Sequence, residues 1–158
     1  MRIRKIIEAD NKQVAHLVRS ILEDMEVPKE GTAYGDTALD NMYLTYQRPK
    51  SVFYVIDFQG KIIGCGGIAP LEHNEGNLCE LQKMYVSIGH RGKGLAQIIM
   101  QTCLDAATKF GFQGCYLETL PFMQVAQRLY QKNGFQYLQR PLGNTGHTAC
   151  TVRMLKEF

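Results

Sequence analysis

The sequence lacks the marks of several functional classes. Its five cysteines (Cys65, Cys79, Cys103, Cys115 and Cys150) are an odd number, with no CxxC pair and no metal-like cluster with histidine. They read as reduced, mostly buried small hydrophobes, not as a disulfide framework. His16, His73 and His90 share no ligand spacing with one another or with cysteine, so no metal is expected. Met1 to Ile7 alternates basic and apolar residues, and no apolar stretch of signal or spanning length follows. The expectation is a cytoplasmic chain that neither enters nor crosses a membrane. There is also no basic block. The net charge of +3 comes from Lys and Arg dispersed along the chain, which argues against nucleic acid and suits a small anionic ligand. Neither GxGxxG nor GxxxxGK[ST] occurs, which disfavours a Rossmann dinucleotide site and a P-loop.

What is present is enough apolar residue for one core. At 158 residues and 45% apolar content, the chain is expected to form one domain over residues 1–158, without repeats or linkers. Residues 2 to 7 alternate as a strand. Asp10 followed by Gln13 resembles a capping box opening a helix that carries Val14, Leu17, Val18, Ile21 and Leu22. Asp36 can cap a second helix with Leu39, Met42, Tyr43 and Tyr46 on one face. Ser51 to Phe58, the Gln59-Gly60 turn and Lys61 to Ala69 read as a hairpin, with Gly64, Gly66 and Gly67 marking a bulge or a close backbone approach. A strand over about Leu78 to Ser87 leads through a glycine-bearing loop into a strongly periodic helix ending near Lys109 to Gly111. Gly114 to Leu120 is a short strand, and Val125, Ala126, Leu129 and Tyr130 define a helix stopped by Asn133-Gly134. Phe135 to Gln139 and Ala149 to Leu155 read as closing strands. The order β-α-α-β-β-β-α-β-α-β-β predicts a mixed α/β (α+β) fold, a mixed sheet with helices packed on it.

The loop Arg91-Gly92-Lys93-Gly94-Leu95-Ala96 carries the chemistry. The first N–H groups of a helix have no intrahelical acceptor, and the macrodipole adds partial positive charge there. Gly92 and Gly94 remove the Cβ atoms that would hold a pyrophosphate away, and Arg91 and Lys93 add full charge at the rim. Taken alone, such a loop is also compatible with a purely structural helix entry.

Arg91, Gly94 and Ala96 match the [QR]-x-x-G-x-[GA] signature of the GCN5-related N-acetyltransferase (GNAT) family, and the chain resembles that family at a second place. Ala126-Gln127-Arg128-Leu129-Tyr130-Gln131-Lys132-Asn133-Gly134-Phe135 is similar to its A-x-x-L-Y-x-x-x-G-F element. The resemblance implies a twisted, mostly antiparallel sheet with helices on both faces and a splay between the fourth and fifth strands. It implies acetyl-CoA as co-substrate, without a metal, and a primary amine of a small molecule or peptide as acceptor. It leaves a homodimer open.

Residue by residue, the resemblance puts pantetheine on the backbone of Met84 and Val86. It puts pyrophosphate on the backbone of Arg91, Gly92, Lys93, Gly94, Leu95 and Ala96. Tyr130 falls where a phenol protonates the departing thiolate. Glu80 falls where histone-acetylating members carry a general base, and Glu118 is the reserve base. The departure is Met123, which stands where members often have Asn. Tyr34 and Tyr43 are candidates for the acceptor wall, although aromatics at helical spacing are more often core. The loop Gly143 to Thr148 is explained by a tight turn, or else lies over the acceptor with His147 as a hydrogen-bonding group. No Cys-His-acid order supports a covalent route through Cys65 or Cys150. The rival reading is a non-catalytic acyl-CoA sensor or interaction module.

Overall fold

Each strand expected from alternation forms, and the sheet they build opens in the middle. The computed structural model describes residues 1–158. Strands β1 (Arg2–Lys5), β2 (Val52–Phe58), β3 (Lys61–Pro70), β4 (Leu78–Val86), β5 (Gly114–Thr119), β6 (Gln136–Leu138) and β7 (Val152–Glu157) form one sheet in the order β1-β2-β3-β4-β5-β7-β6. Every neighbouring pair is antiparallel except β4 and β5. Those two parallel strands are joined by helix α3 (Leu95–Lys109), as a parallel crossover requires. The remaining helices are α1 (Asn11–Asp24), the single turn α2 (Met42–Thr45) and α4 (Gln124–Lys132).

Helical periodicity places a core on each face. The α1 stripe of Val14, Leu17, Val18, Ile21 and Leu22 packs with Phe53, Val55 and Cys65 on one side. Met100, Cys103, Leu104 and Ala107 of α3 pack with Cys79, Leu81, Leu117 and Met154 on the other. In the β2–β3 turn, Gln59 and Gly60 both have positive φ, the signature of a type I′ hairpin. The glycines of β3 are places of close approach. A Cβ on Gly67 would sit 2.5 Å from Phe53 Cδ2 and 2.6 Å from the Val52 carbonyl oxygen.

Two local expectations are corrected. Asp10 does not cap α1. Its carboxylate accepts the Ile7 N–H at 2.9 Å and ion-pairs with Arg4 at 2.7 Å, while Gln13 reaches across to Gly60 and Ile62. The Arg4 guanidinium on the preceding strand has taken the carboxylate from the capping motif. The second helix also breaks up. Thr37–Asn41 is a 3₁₀ segment and only Met42–Thr45 is α-helical, because the segment is held by Asn11, Arg19 and its own cap Asn41, not by a continuous ladder. The last strand starts at Val152, later than Ala149, since residues 139–151 leave the sheet edge and cross back over the face.

The opening between β4 and β5 follows from register. Only Leu78, Cys79 and Glu80 pair with Gly114, Cys115 and Tyr116. Beyond that point β4 stays on β3 and β5 stays on β7. A bulge in β4 bends it away: Cys65 pairs with Tyr85 and Gly67 with Gln82, so Lys83 and Met84 together oppose Gly66. Lys83 adopts a φ of 50°, uncommon for a residue with a side chain.

Candidate active site

Two adjacent cavities occupy the splay. The larger, about 450 Å³, runs from the Arg91–Ala96 loop along Met84, Tyr85 and Val86 to Thr119 and Tyr130. The smaller, about 50 Å³, lies on the α1 side and is lined by Glu80, Gln82, Lys83, Glu118, His147 and Cys150 among others. Lys83, Glu118, Tyr85 and Met123 border both, so the cavities meet at the fork.

The loop at one end has the backbone geometry that an anion cradle requires. Gly92 and Gly94 have φ of 73° and 76°, and a Cβ on either would point into open space, not into protein. Gly94 is the N-cap of α3. The N–H groups of Gly92, Lys93, Gly94, Leu95, Ala96 and Gln97 have no backbone acceptor within the chain. They point where phosphate oxygens could satisfy them. Arg91 is partly committed, since its Nε donates to the Val86 carbonyl at 3.0 Å. Ser87 N–H bonds the Ile63 carbonyl, so by antiparallel alternation Val86 turns its backbone toward the opening; its N–H is the group left for a ligand.

The far wall is α4. Tyr130 is 7% exposed, meets Phe135 edge-on at 5.8 Å between ring centroids, and lines the large cavity. Its hydroxyl has no hydrogen-bond partner in the chain, and burial pushes its pKa up, so it stays protonated. Gly134 ends the helix at φ 90°, and Asn133 exchanges two amide hydrogen bonds with Gln97 of α3 at 2.7 and 2.8 Å. The A-x-x-L-Y-x-x-x-G-F element is therefore tied to helix α3. Met123, at the start of α4, makes no side-chain cap; its sulfur accepts the Thr119 hydroxyl at 3.4 Å.

Glu80 lies at the bottom of the fork, 5% exposed. Burial pushes its carboxyl up, and the opposing pull of the Gln82 hydrogen bond and the charges of His147 and Lys83 does not cancel that. One of its oxygens accepts from Gln82 Nε2 at 2.6 Å, and Gln82 in turn accepts the Tyr46 hydroxyl at 2.5 Å. Glu118 accepts the hydroxyls of Tyr116 at 2.6 Å and Thr145 at 2.7 Å. The segment 139–151 closes the small cavity as a strap: Asn144 N–H bonds Glu72, Ala149 N–H bonds Gly31, and His147 Nε2 lies 2.9 Å from Asp36. Asp36 also takes the Lys83 ammonium at 2.9 Å. Burial raises the Asp36 pKa, but the His147 hydrogen bond and the Lys83 charge outweigh it and hold the carboxyl below the usual range.

The structure thus brings Glu80, Glu118 and His147 to one cavity, and Met84, Val86, Arg91, Gly92, Gly94, Leu95, Ala96 and Tyr130 to the other. Lys93 is exposed on the cradle loop. Tyr34 and Tyr43 border neither cavity. Tyr34 gives its hydroxyl to Glu23 at 2.5 Å under Lys29, and Tyr43 packs against the α1 core. Lys83, Asp36 and Gln82 line or brace the small cavity without having stood out in the sequence. A bulge carries Lys83 there, and Asp36 looked like an ordinary helix cap. Cys65 and Cys150 are no better placed as nucleophiles, since burial pushes their thiols up to about 12 and about 11.

Comparison with known proteins gives a consistent picture. Residues 15–135 match the Acetyltransferase (GNAT) family. The chain is 38% identical to the uncharacterized N-acetyltransferase YjgM of Escherichia coli (strain K12), over 99% of this chain and 94% of that one. An acetyltransferase of the GNAT family from Staphylococcus aureus Mu50 superposes with a TM-score of 0.88 at 20% identity, covering 99% of this chain and 98% of that one. The PaiA N-acetyltransferase of Thermoplasma acidophilum, solved in complex with coenzyme A, superposes with a TM-score of 0.75 at 18% identity, covering 99% and 98%. No helix is long and apolar enough to cross a membrane.

Proposed function

The chain belongs to the GNAT acetyltransferase family, and from that premise we propose that it transfers an acetyl group from acetyl-CoA to a primary amine by direct attack within a ternary complex. The observation that carries this reading is the fork itself. A donor-sized cleft begins at an anion cradle, passes an unpaired strand edge and an uncommitted phenol, and shares a wall at its inner end with a second cavity holding carboxylates.

The residues fit coenzyme A. The N–H groups of Gly92 to Gln97 would hold the pyrophosphate, and the free β4 edge near Met84 and Val86 would bind the pantetheine arm as an added strand. When bound, the thioester supplies the acyl group and a thiolate leaving group. An ammonium has no lone pair, so the acceptor must lose a proton. Glu80, whose carboxyl is raised above its ordinary value by burial, accepts it directly or through water. A backbone N–H near the Lys83–Met84 bulge polarises the carbonyl. Tyr130 donates its proton to the departing sulfur; the absence of an internal partner leaves that hydroxyl unspent. Holding both reactants at the junction contributes the orientation term.

The test is acetyl transfer from acetyl-CoA across a panel of primary amines, read by product mass, beside CoA binding by calorimetry. Transfer to any amine supports the enzyme. Tight CoA binding with no transfer across the panel turns the reading into that of an acyl-CoA sensor.

A further inference from the structure

The small cavity contains one cation whose hydrogen-bonding capacity is unspent. The Lys83 side chain is 7% exposed, yet its ammonium has a single partner, one oxygen of Asp36 at 2.9 Å. An ammonium carries three donors, and buried donors without acceptors are costly. Asp36 is shared as well, since the same oxygen lies 2.9 Å from His147 Nε2. Lys83 therefore has donors to spare where water has little access.

Carboxylates line the same cavity as Lys83. Glu80 and Glu118 both line it, Glu118 held by Tyr116 and Thr145. Lys83 and Glu118 also border the large cavity, so a cation and an anion flank the point where the acceptor nitrogen must meet the acyl carbon. A simple alkylamine would bring an ammonium beside Lys83 with no charge of its own to offset it. An amine with an adjacent carboxylate brings an anion for Lys83 and a cation for the lining carboxylates. The small cavity, about 50 Å³, has room for a few water-sized groups, the scale of such a head group and not of a long side chain.

Building on the acetyltransferase reading, we infer that the acceptor is an α-amino acid or a molecule ending in that head group, its carboxylate bound by Lys83 and its amine on the Glu80 and Glu118 side. Lys83 is then a specificity determinant, a role no sequence motif gives it.

The experiment compares matched acceptors with and without the carboxylate: L-alanine with ethylamine, L-serine with ethanolamine, L-phenylalanine with phenethylamine and L-lysine with cadaverine. Each is measured as kcat/KM with acetyl-CoA and as binding to the CoA-loaded protein by calorimetry, in the wild type and in Lys83→Met. The expected result is a preference for the carboxylated partner of about 10- to 100-fold, the worth of a charged hydrogen bond, that falls to near unity in Lys83→Met. This preference is a ratio, so it does not depend on what fraction of the variant is folded. The inference is overturned if the amines lacking a carboxylate react or bind as well as their partners. It is also overturned if Lys83→Met lowers both alike, or if none of the carboxylated acceptors binds or reacts. Turnover without carboxylate preference leaves the acetyltransferase reading standing. Carboxylate-dependent binding without turnover supports the inference and removes the catalytic reading.

Discussion

Glu80 is the last residue of β4 to pair with β5, and its partner there is Tyr116. The same tyrosine gives its hydroxyl to Glu118 at 2.6 Å. That cross-strand pair ends the parallel ladder and Tyr116 also holds the Glu118 carboxylate, so one residue links the opening of the sheet to an acid group of the fork.

Replacing Glu80 by Gln should lower kcat by about 100-fold, within the range for losing a general base, and remove the acidic limb from the pH profile. Stability should move in the opposite direction at high pH. Burial raises the Glu80 pKa in the folded state, so its contribution is fully present below the unfolded carboxylate value and lost as pH rises through the folded value. The Gln variant carries no such loss. Its melting temperature should exceed the wild type's at pH 8, with the gap closing toward pH 4, in thermal scans across pH.

Tyr130→Phe removes a hydroxyl that has no partner in the chain while keeping the ring on Phe135. The melting temperature and the CoA dissociation constant should therefore stay close to wild type, while kcat falls by about 100-fold. Steady-state kinetics with calorimetric CoA titration separate the two. A parallel loss of CoA affinity would show that the tyrosine builds the pocket instead of donating the proton.

Gly94→Val forces a β-branched residue to φ 76° at the cap of α3 and sets a side chain in the open space above the cradle. The strain should cost about 1–2 kcal/mol of stability, and CoA should bind at least about 10-fold more weakly, roughly what one lost charge-assisted hydrogen bond produces. Denaturant unfolding and CoA titration report each part.

Asp36→Asn weakens the contacts to Lys83 and His147 together, with an expected cost of about 1–3 kcal/mol. The sign with pH differs from that of Glu80. The Asp36 carboxyl is held low in the folded state, so its stabilisation is present above the ordinary unfolded value and lost as pH falls through the folded one. Unfolding curves of wild type and variant should differ at pH 7 and converge in acid.

The donor half of the site was legible because its information is local. Six consecutive residues define the cradle, and the helix they open repeats apolar residues with the period of a buried stripe, as Ile99, Met100 and Cys103 then show. Helix α4 was found but its facing was only half read: Val125 is 75% exposed, while Gln127 is buried because Leu120, Pro121 and Tyr137 satisfy its amide. A polar residue with tertiary partners defeats a pattern based on polarity. The acceptor half was less legible still. Lys83 reaches the cavity through a bulge that strand alternation does not encode. His147 and Asp36 meet across 111 positions of sequence. Tyr34 and Tyr43, which the family resemblance offered as wall residues, are occupied with Glu23 and with the α1 core.

The donor and acceptor walls differ in how they are made. The donor wall is strand edge and helix start, tied into the two cores, whereas the acceptor wall is closed by the segment around Asp36 and by the strap over residues 139–151. Loops accept replacement more readily than core elements. On the proposed acetyltransferase reading, exchanging residues 139–151 for a strap of different polarity would change which amine is accepted and leave the donor wall as it is.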